Sequence, residues 1–215
     1  MATIGVRKPY YALYSFDAAS DKVTYSGGGL LGKAIEFGTS LEQTTDNVLY
    51  ADDAPAEADR TFAGGEVTIT TDDLRQEASA AILGITPQEI TIGDAENGVK
   101  VKEMVYGENM TVPNLGFGVI IPKQIENVMK YRAVILPKVM FSVPDDSATT
   151  KGETIEWQTP EITGTIMRSD DSEHAWKREI VADDEATAVA YIKQFLNITD
   201  AAQTNYMARM RKGDV

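Results

Sequence analysis

Residues 131–143 read Tyr131-Arg132-Ala133-Val134-Ile135-Leu136-Pro137-Lys138-Val139-Met140-Phe141-Ser142-Val143, and the fold class turns on them. Spaced by two, Val134, Leu136 and Met140 fall on one side, with Ala133, Ile135, Val139 and Phe141 on the other. β-branched and aromatic residues at this density favour a strand. A strand without a polar face has to be covered twice, by core on one side and by a neighbouring layer or subunit on the other. Pro137 has no N–H to give to a ladder, which predicts an edge position or a bulge at that point.

Working outward, the same period recurs. Val67 and Ile69 alternate with Glu66, Thr68 and Thr70; Val99 and Val101 alternate with Lys100 and Lys102; Ile155 and Trp157 alternate with Thr154, Glu156 and Gln158. Alternation of this kind puts one face of each strand in a core and the other toward water. Two segments instead carry a helical stripe. In Asp72–Leu83 it is Leu74, Ala78, Ala81 and Ile82, with Asp72 and Asp73 suited to the start and Gly84 to the stop. In Asp184–Leu196 it is Val189, Ile192 and Leu196, with Asp183 or Asp184 as the cap. The expectation is a mainly β (α+β) chain with two short packing helices, one domain over 1–199 and a polar tail over 200–215 that orders on a partner. Residues 26–29 read as a glycine-rich hairpin turn, and 52–59 and 145–150 as loops.

Composition removes several function classes. The chain has 215 residues, 43% hydrophobic and 25% charged, with no cysteine. A disulfide framework, a zinc–thiolate site and a cysteine nucleophile are therefore excluded. The formal net charge of −13 suits a surface that repels phosphate and makes sequence-independent nucleic-acid binding a poor fit. The start, MATIGVRKPYYALYSFD, lacks an apolar stretch after its basic residues, so no signal peptide is expected, and the apolar runs are too short to span a bilayer.

Chemical motifs are decoys. Gly27, Gly29 and Gly32 fit G-x-G-x-x-G, and Gly27, Gly32 and Lys33 nearly fit a phosphate-binding loop. Ala34 stands where a magnesium-binding hydroxyl should be, and Ala34–Leu41 alternates like a strand, so no helix N-terminus is offered to phosphate. His174 is the single histidine and reads as a solvated loop residue. The pairs Asp52-Asp53, Asp72-Asp73, Asp145-Asp146, Asp170-Asp171 and Asp183-Asp184 sit at helix starts or in loops, without the convergence that a glycosidase or cation site requires. The aromatic run Tyr10–Phe16 reads as core and subunit packing. No catalytic, cofactor or metal-binding residue is expected, and no enzymatic activity.

Taken in order, several stretches carry a resemblance: Ala2–Ala12, Ala34–Phe37 running through Thr44–Asp52, Thr61–Ile69, Ile155–Pro160 with Ile162–Ile166, Trp176-Lys177 and Asp183–Ala186. In combination, over nearly the whole chain up to about Leu196, they resemble the major tail proteins (tail tube proteins) of bacteriophages with long non-contractile tails. The resemblance implies a β-sandwich or barrel-like fold with a long protruding hairpin, copies closing into hexameric rings, and rings stacking into a tube through which DNA leaves. It implies a place in the virion tail, reached from the host cytoplasm during assembly, with tape-measure, tail terminator and baseplate proteins as partners and no membrane or cofactor.

Physical chemistry points the same way. Subunits whose sheets continue one another lose their exposed edges, and a heterologous contact that closes by rotation defines a ring. Within 34–62, the hairpin from Ala34 to Ala51 is too long for one domain to bury, and its acidic extension past Asp52 reads as an arm that orders against the next ring. The residues expected to make contacts between subunits and rings are Phe37, Leu41, Val48, Leu49, Tyr50, Asp52, Asp53, Pro55, Glu57 and Asp59. A carboxylate-lined lumen would let DNA slide. The alternatives are a receptor- or carbohydrate-binding β-sandwich module, or the tube protein of a related secretion machine.

Overall fold

The computed structural model describes residues 2–43, 47–51, 54–59, 61–93, 98–108, 110–145, 150 and 158–199, with only the backbone of 43, 47–51 and 54–59. The strand expected at Ile155 and Trp157, the acidic pair Asp52-Asp53 and the 200–215 tail lie outside the described residues.

The chain is mainly β with two short helices. The strands are β1 (Ala2–Thr3), β2 (Arg7–Asp17), β3 (Lys22–Leu30), β4 (Ala34–Gln43), β5 (Asn47–Ala51), β6 (Ala54–Asp59), β7 (Phe62–Thr71), β8 (Gln88–Ile92), β9 (Val99–Glu103), β10 (Leu115–Ile125), β11 (Val128–Phe141), β12 (Glu161–Met167) and β13 (Arg178–Ala182). The helices are α1 (Gln76–Leu83) and α2 (Glu185–Phe195). One antiparallel sheet runs β3-β2-β10-β11-β12-β7-β4, with β1 added on β10 and β13 on β11; β5–β6 and β8–β9 form two separate two-stranded sheets. The resemblance's first strand, 2–12, is thus two strands parted around Gly5.

The large sheet curls. Phe37 of β4 stacks on Phe117 of β10 at 6.3 Å, although β11, β12 and β7 lie between them in the ladder. Four strand spacings in a flat sheet would part them by roughly 19 Å. The curl brings Val67, Ile69 and Ile162 from one half into the same core as Phe117, Val119 and Leu136 from the other, with Ile82 and Leu83 of α1. Among the described residues β4 pairs with β7 alone, and the sheet does not close on itself. A second core lies on the opposite face of β2, β10, β11 and β13, under Ala188, Ile192 and Leu196 of the α2 region.

Pro137 sits at a bulge. The β10–β11 register passes from Phe117↔Leu136 to Leu115↔Val139, so Pro137 and Lys138 face the single residue Gly116. Residues 131–135 of β11 hold β13 and residues 138–141 hold β12, and Pro137 falls between them. The extra residue corrects the expected facing. Val134, Leu136, Val139 and Phe141 all enter the first core, because the bulge shifts the phase of the strand by one residue. Ala133 and Ile135 face α2, and Met140 is exposed. Helix α2 approaches β10 closely over two glycines: a Cβ on Gly116 would stand 2.5 Å from Leu196 Cδ2, and one on Gly118 2.8 Å from Ile192 Cγ2. Tyr25 donates its hydroxyl to the Pro137 carbonyl at 3.0 Å, and burial pushes its phenol pKa up.

Three local expectations are corrected. Residues 26–29 lie inside β3, where Gly27 (φ 60°) and Gly28 oppose the single residue Ala12 in a bulge; the turn itself is built at 18–21, where Asp17 accepts from Ala19 N–H and Ser20 O–H. Helix α1 starts four residues later than expected, because Asp72 is engaged elsewhere: its carboxylate accepts from Lys33 N–H at 2.8 Å and its own N–H donates to the Lys33 carbonyl. The backbone of 54–59 is a strand paired to β5, not a loop. Asp184 caps α2 as expected, accepting from Thr187 N–H at 2.7 Å, and Gly84 ends α1 in the left-handed conformation.

Candidate self-assembly surface

The main ladder of the curled, open sheet ends in β3 and β4, and these two strands differ. Strand β3 is blunted by the segment after α2. Asn197 donates through Nδ2 to the Tyr25 carbonyl at 3.1 Å, and Ile198 lies over Gly28, where a Cβ would come 2.5 Å from its Cγ1. Strand β4 has no such cover. It runs for ten residues with no proline or lysine inside it, and among the described residues no strand pairs with its outer side. Ile35 is 52% and Leu41 43% exposed. A long, uncovered edge strand with exposed apolar side chains and no lysine or proline is a template for another strand.

The face that ends at β4 is equally distinctive. The registers align Glu36 with Thr70 and Glu161, Gly38 with Thr68 and Thr163, Ser40 with Glu66 and Thr165, and Glu42 with Gly64 across β4, β7 and β12. The opposite face of these strands carries Phe37, Val67, Ile69, Ile162 and Ile166 into the core. The polar face is therefore a plane of threonine, serine and glycine bearing Glu36, Glu42, Glu66 and Glu161. None of these carboxylates is ion-paired among the described residues.

The cations instead gather toward β11, β13 and α2. Glu185 receives Arg7 (3.1 Å) and Lys8 (2.8 Å), chiefly Lys8 holding its carboxyl below the usual value. Lys177 and Arg132 together hold Glu179 down to about 2. Lys130 pairs with Asp183. Lys138 lies 2.6 Å from Asp170, which also accepts from the Tyr14 hydroxyl at 2.9 Å, and this lysine is the main cause of its lowered pKa. One side of the molecule is thus charge-compensated, while the aligned rows of β12, β7 and β4 carry four carboxylates without an ion-pair partner among the described residues.

Of the residues read from the sequence as contact candidates, Leu41 is exposed on the open strand. Phe37 is half-buried and stacks on Phe117, because β4 continues the core-facing row of β7. Val48, Leu49 and Tyr50 lie on β5, and Pro55, Glu57 and Asp59 on β6, paired Leu49↔Glu57 and Tyr50↔Pro55. Asp52 and Asp53 lie outside the described residues. Missed were Ile35 and the carboxylate rows; the alternation of Glu36, Gly38, Ser40 and Glu42 was their signal, legible only once β7 and β12 are known to lie beside it.

The sites of the decoy motifs are accounted for. Gly27 to Gly32 leads into β4 without a helix, and Lys33 lies 3.5 Å from Asp72. His174 is exposed in a turn, its Nδ1 3.2 Å from the Ser169 carbonyl. Among the described residues no three His, Cys, Asp or Glu side chains gather as a metal site, and no helix is long and apolar enough to cross a membrane. Comparison with models of known protein families gives no match, and comparison with curated proteins gives none either.

Proposed function

We propose that this chain is a structural protein that polymerises through its sheet into hexameric rings stacked as a hollow tube, the tail tube of a long-tailed bacteriophage, with the curled sheet as its barrel-like unit. The observation that carries the reading is the pairing of an uncovered ten-residue edge strand, β4, with an acidic face ending at that same edge. Adding a strand at β4 continues the sheet from copy to copy, and each copy brings its own acidic face. Closed into a ring, that face becomes the lumen wall, and Glu36, Glu66 and Glu161 repel the phosphate of DNA passing through it. The tape-measure protein occupies the lumen during assembly, and terminator and baseplate proteins close the two ends. Negative-stain microscopy and sedimentation of the purified chain over a concentration series test this. Rings and tubes are expected; a monomer at every concentration refutes it.

A further inference from the structure

The β8–β9 hairpin leaves an apolar face uncovered. Gln88, Ile90 and Ile92 oppose Glu103, Val101 and Val99 on one side, with Ile92 59% and Val99 65% exposed. Val99 and Val101 were expected to enter a core; Val99 is instead exposed, and among the described residues no further strand pairs with this hairpin. The opposite side carries Glu89, Thr91, Lys100 and Lys102. Lys100 is bridged to Glu89 at 2.7 Å, whereas Lys102 has no ion-pair partner among the described residues. An isolated two-stranded hairpin is marginal in water, so a neighbour that covers its apolar face stabilises it.

A complementary surface lies on the same molecule, out of the hairpin's own pairing. A cleft of about 520 Å³ opens at the end of β4 and β7, lined by Glu42, Phe62, Gly64, Glu66, Thr165 and Arg168 among others. Arg168 donates to the Phe62 carbonyl and lies over its ring, so the guanidinium is committed there while Glu42 and Glu66 stay uncompensated. Leu41, next to Glu42, projects from the other side of β4. Strand alternation makes the two surfaces match: a strand laid along β4 with its lysines on the Glu42–Glu66 side necessarily puts its valines on the Leu41 side.

The geometry points to the β8–β9 hairpin of one copy docking along β4 of a second copy, Lys102 between Glu42 and Glu66 and the Ile92–Val99 face against Leu41. This rests on the self-assembly reading and names the element that fills the open edge. The contact is heterologous, so each copy gives its hairpin to one neighbour and receives another, and the chain of contacts propagates. Hairpin-to-hairpin contact through the two apolar faces would be symmetric and stop at a dimer.

The absence of cysteine makes the test clean. Assembled Leu41→Cys/Val99→Cys protein treated with a short bismaleimide is expected to give a ladder beyond the dimer on denaturing gels, with each single variant giving none. Lys102→Glu is expected to raise the concentration needed for assembly about tenfold, and Glu42→Lys in the same chain to restore it. If the wild type assembles but the double cysteine variant gives no ladder, Val99→Cys alone gives dimers, or Lys102→Glu assembles normally, the hairpin contact is wrong and the tube reading stands. If the wild type never assembles, both fall.

Discussion

Replacing Ile35 and Leu41 together by lysine isolates the open edge from everything else the sheet does. Both lie on β4 with 52% and 43% of their surface exposed in the single chain, so about half of each side chain's burial remains to be gained by a covering strand. Full burial of an isoleucine or leucine is worth roughly 1.5–3 kcal/mol. Half of that is about 1 kcal/mol at each position, or about 2 kcal/mol for the pair, which is about 30-fold in the association constant. The like charges introduced on every copy add to the loss, since lysine is the residue natural edges use against pairing. Folding of the single chain is expected to change by no more than about 0.5 kcal/mol, because exposed positions tolerate substitution and the lysine stem keeps the contact that Leu41 makes over Gly65. Sedimentation velocity over a concentration series, with a thermal melt of the dilute protein beside it, separates the two effects. An unchanged melt and assembly at the wild-type concentration would refute continuation of the sheet through β4.

Other outcomes follow from the same geometry. Gly116→Ala is expected to destabilise the fold by about 1–3 kcal/mol, because its Cβ would sit 2.5 Å from both Leu196 Cδ2 and Tyr25 Cε1, whereas Gly38→Ala, with nothing within 4 Å, is expected to melt at or above the wild-type temperature. Asp184→Ala removes the α2 cap and is expected to cost about 1 kcal/mol, read as a lowered denaturant midpoint at constant m-value. Glu179, Glu185 and Asp170 are held below their ordinary values, so the folded chain binds fewer protons than the unfolded one in acid. Their stabilisation is complete above pH about 4.5 and lost as pH falls through the folded values, near 2 for Glu179, so chemical denaturation followed from pH 5 to 2 is expected to show falling stability. Glu66→Lys/Glu161→Lys tubes are expected to retain double-stranded DNA at low salt and release it as salt rises, in a filter-retention assay where wild-type tubes hold none.

Local chemistry was legible before any coordinates. The alternation at Val67 and Ile69, the stripe Ile192 and Leu196, the Asp184 cap and the Gly84 stop all depend on a residue and its near neighbours, and Pro137 announces a broken ladder because it lacks a donor. What followed from that break was not legible. Whether Val139 joins Val134 or opposes it depends on how many residues of β10 lie opposite Pro137, which is a property of two strands and not of one. The exposure of Val99 escaped for the same reason, since alternation fixes two faces but not which of them finds a core. The anionic plane is the clearest case: Glu36, Glu66 and Glu161 are scattered along the chain, and only the register of β4, β7 and β12 aligns them. Sequence alone determined the strand-rich class, the two helical segments and the Asp184 and Gly84 caps, because those are short-range energies. The tertiary structure decided which edge stays open and which charges stand together, because both depend on long-range pairing between segments far apart in the chain.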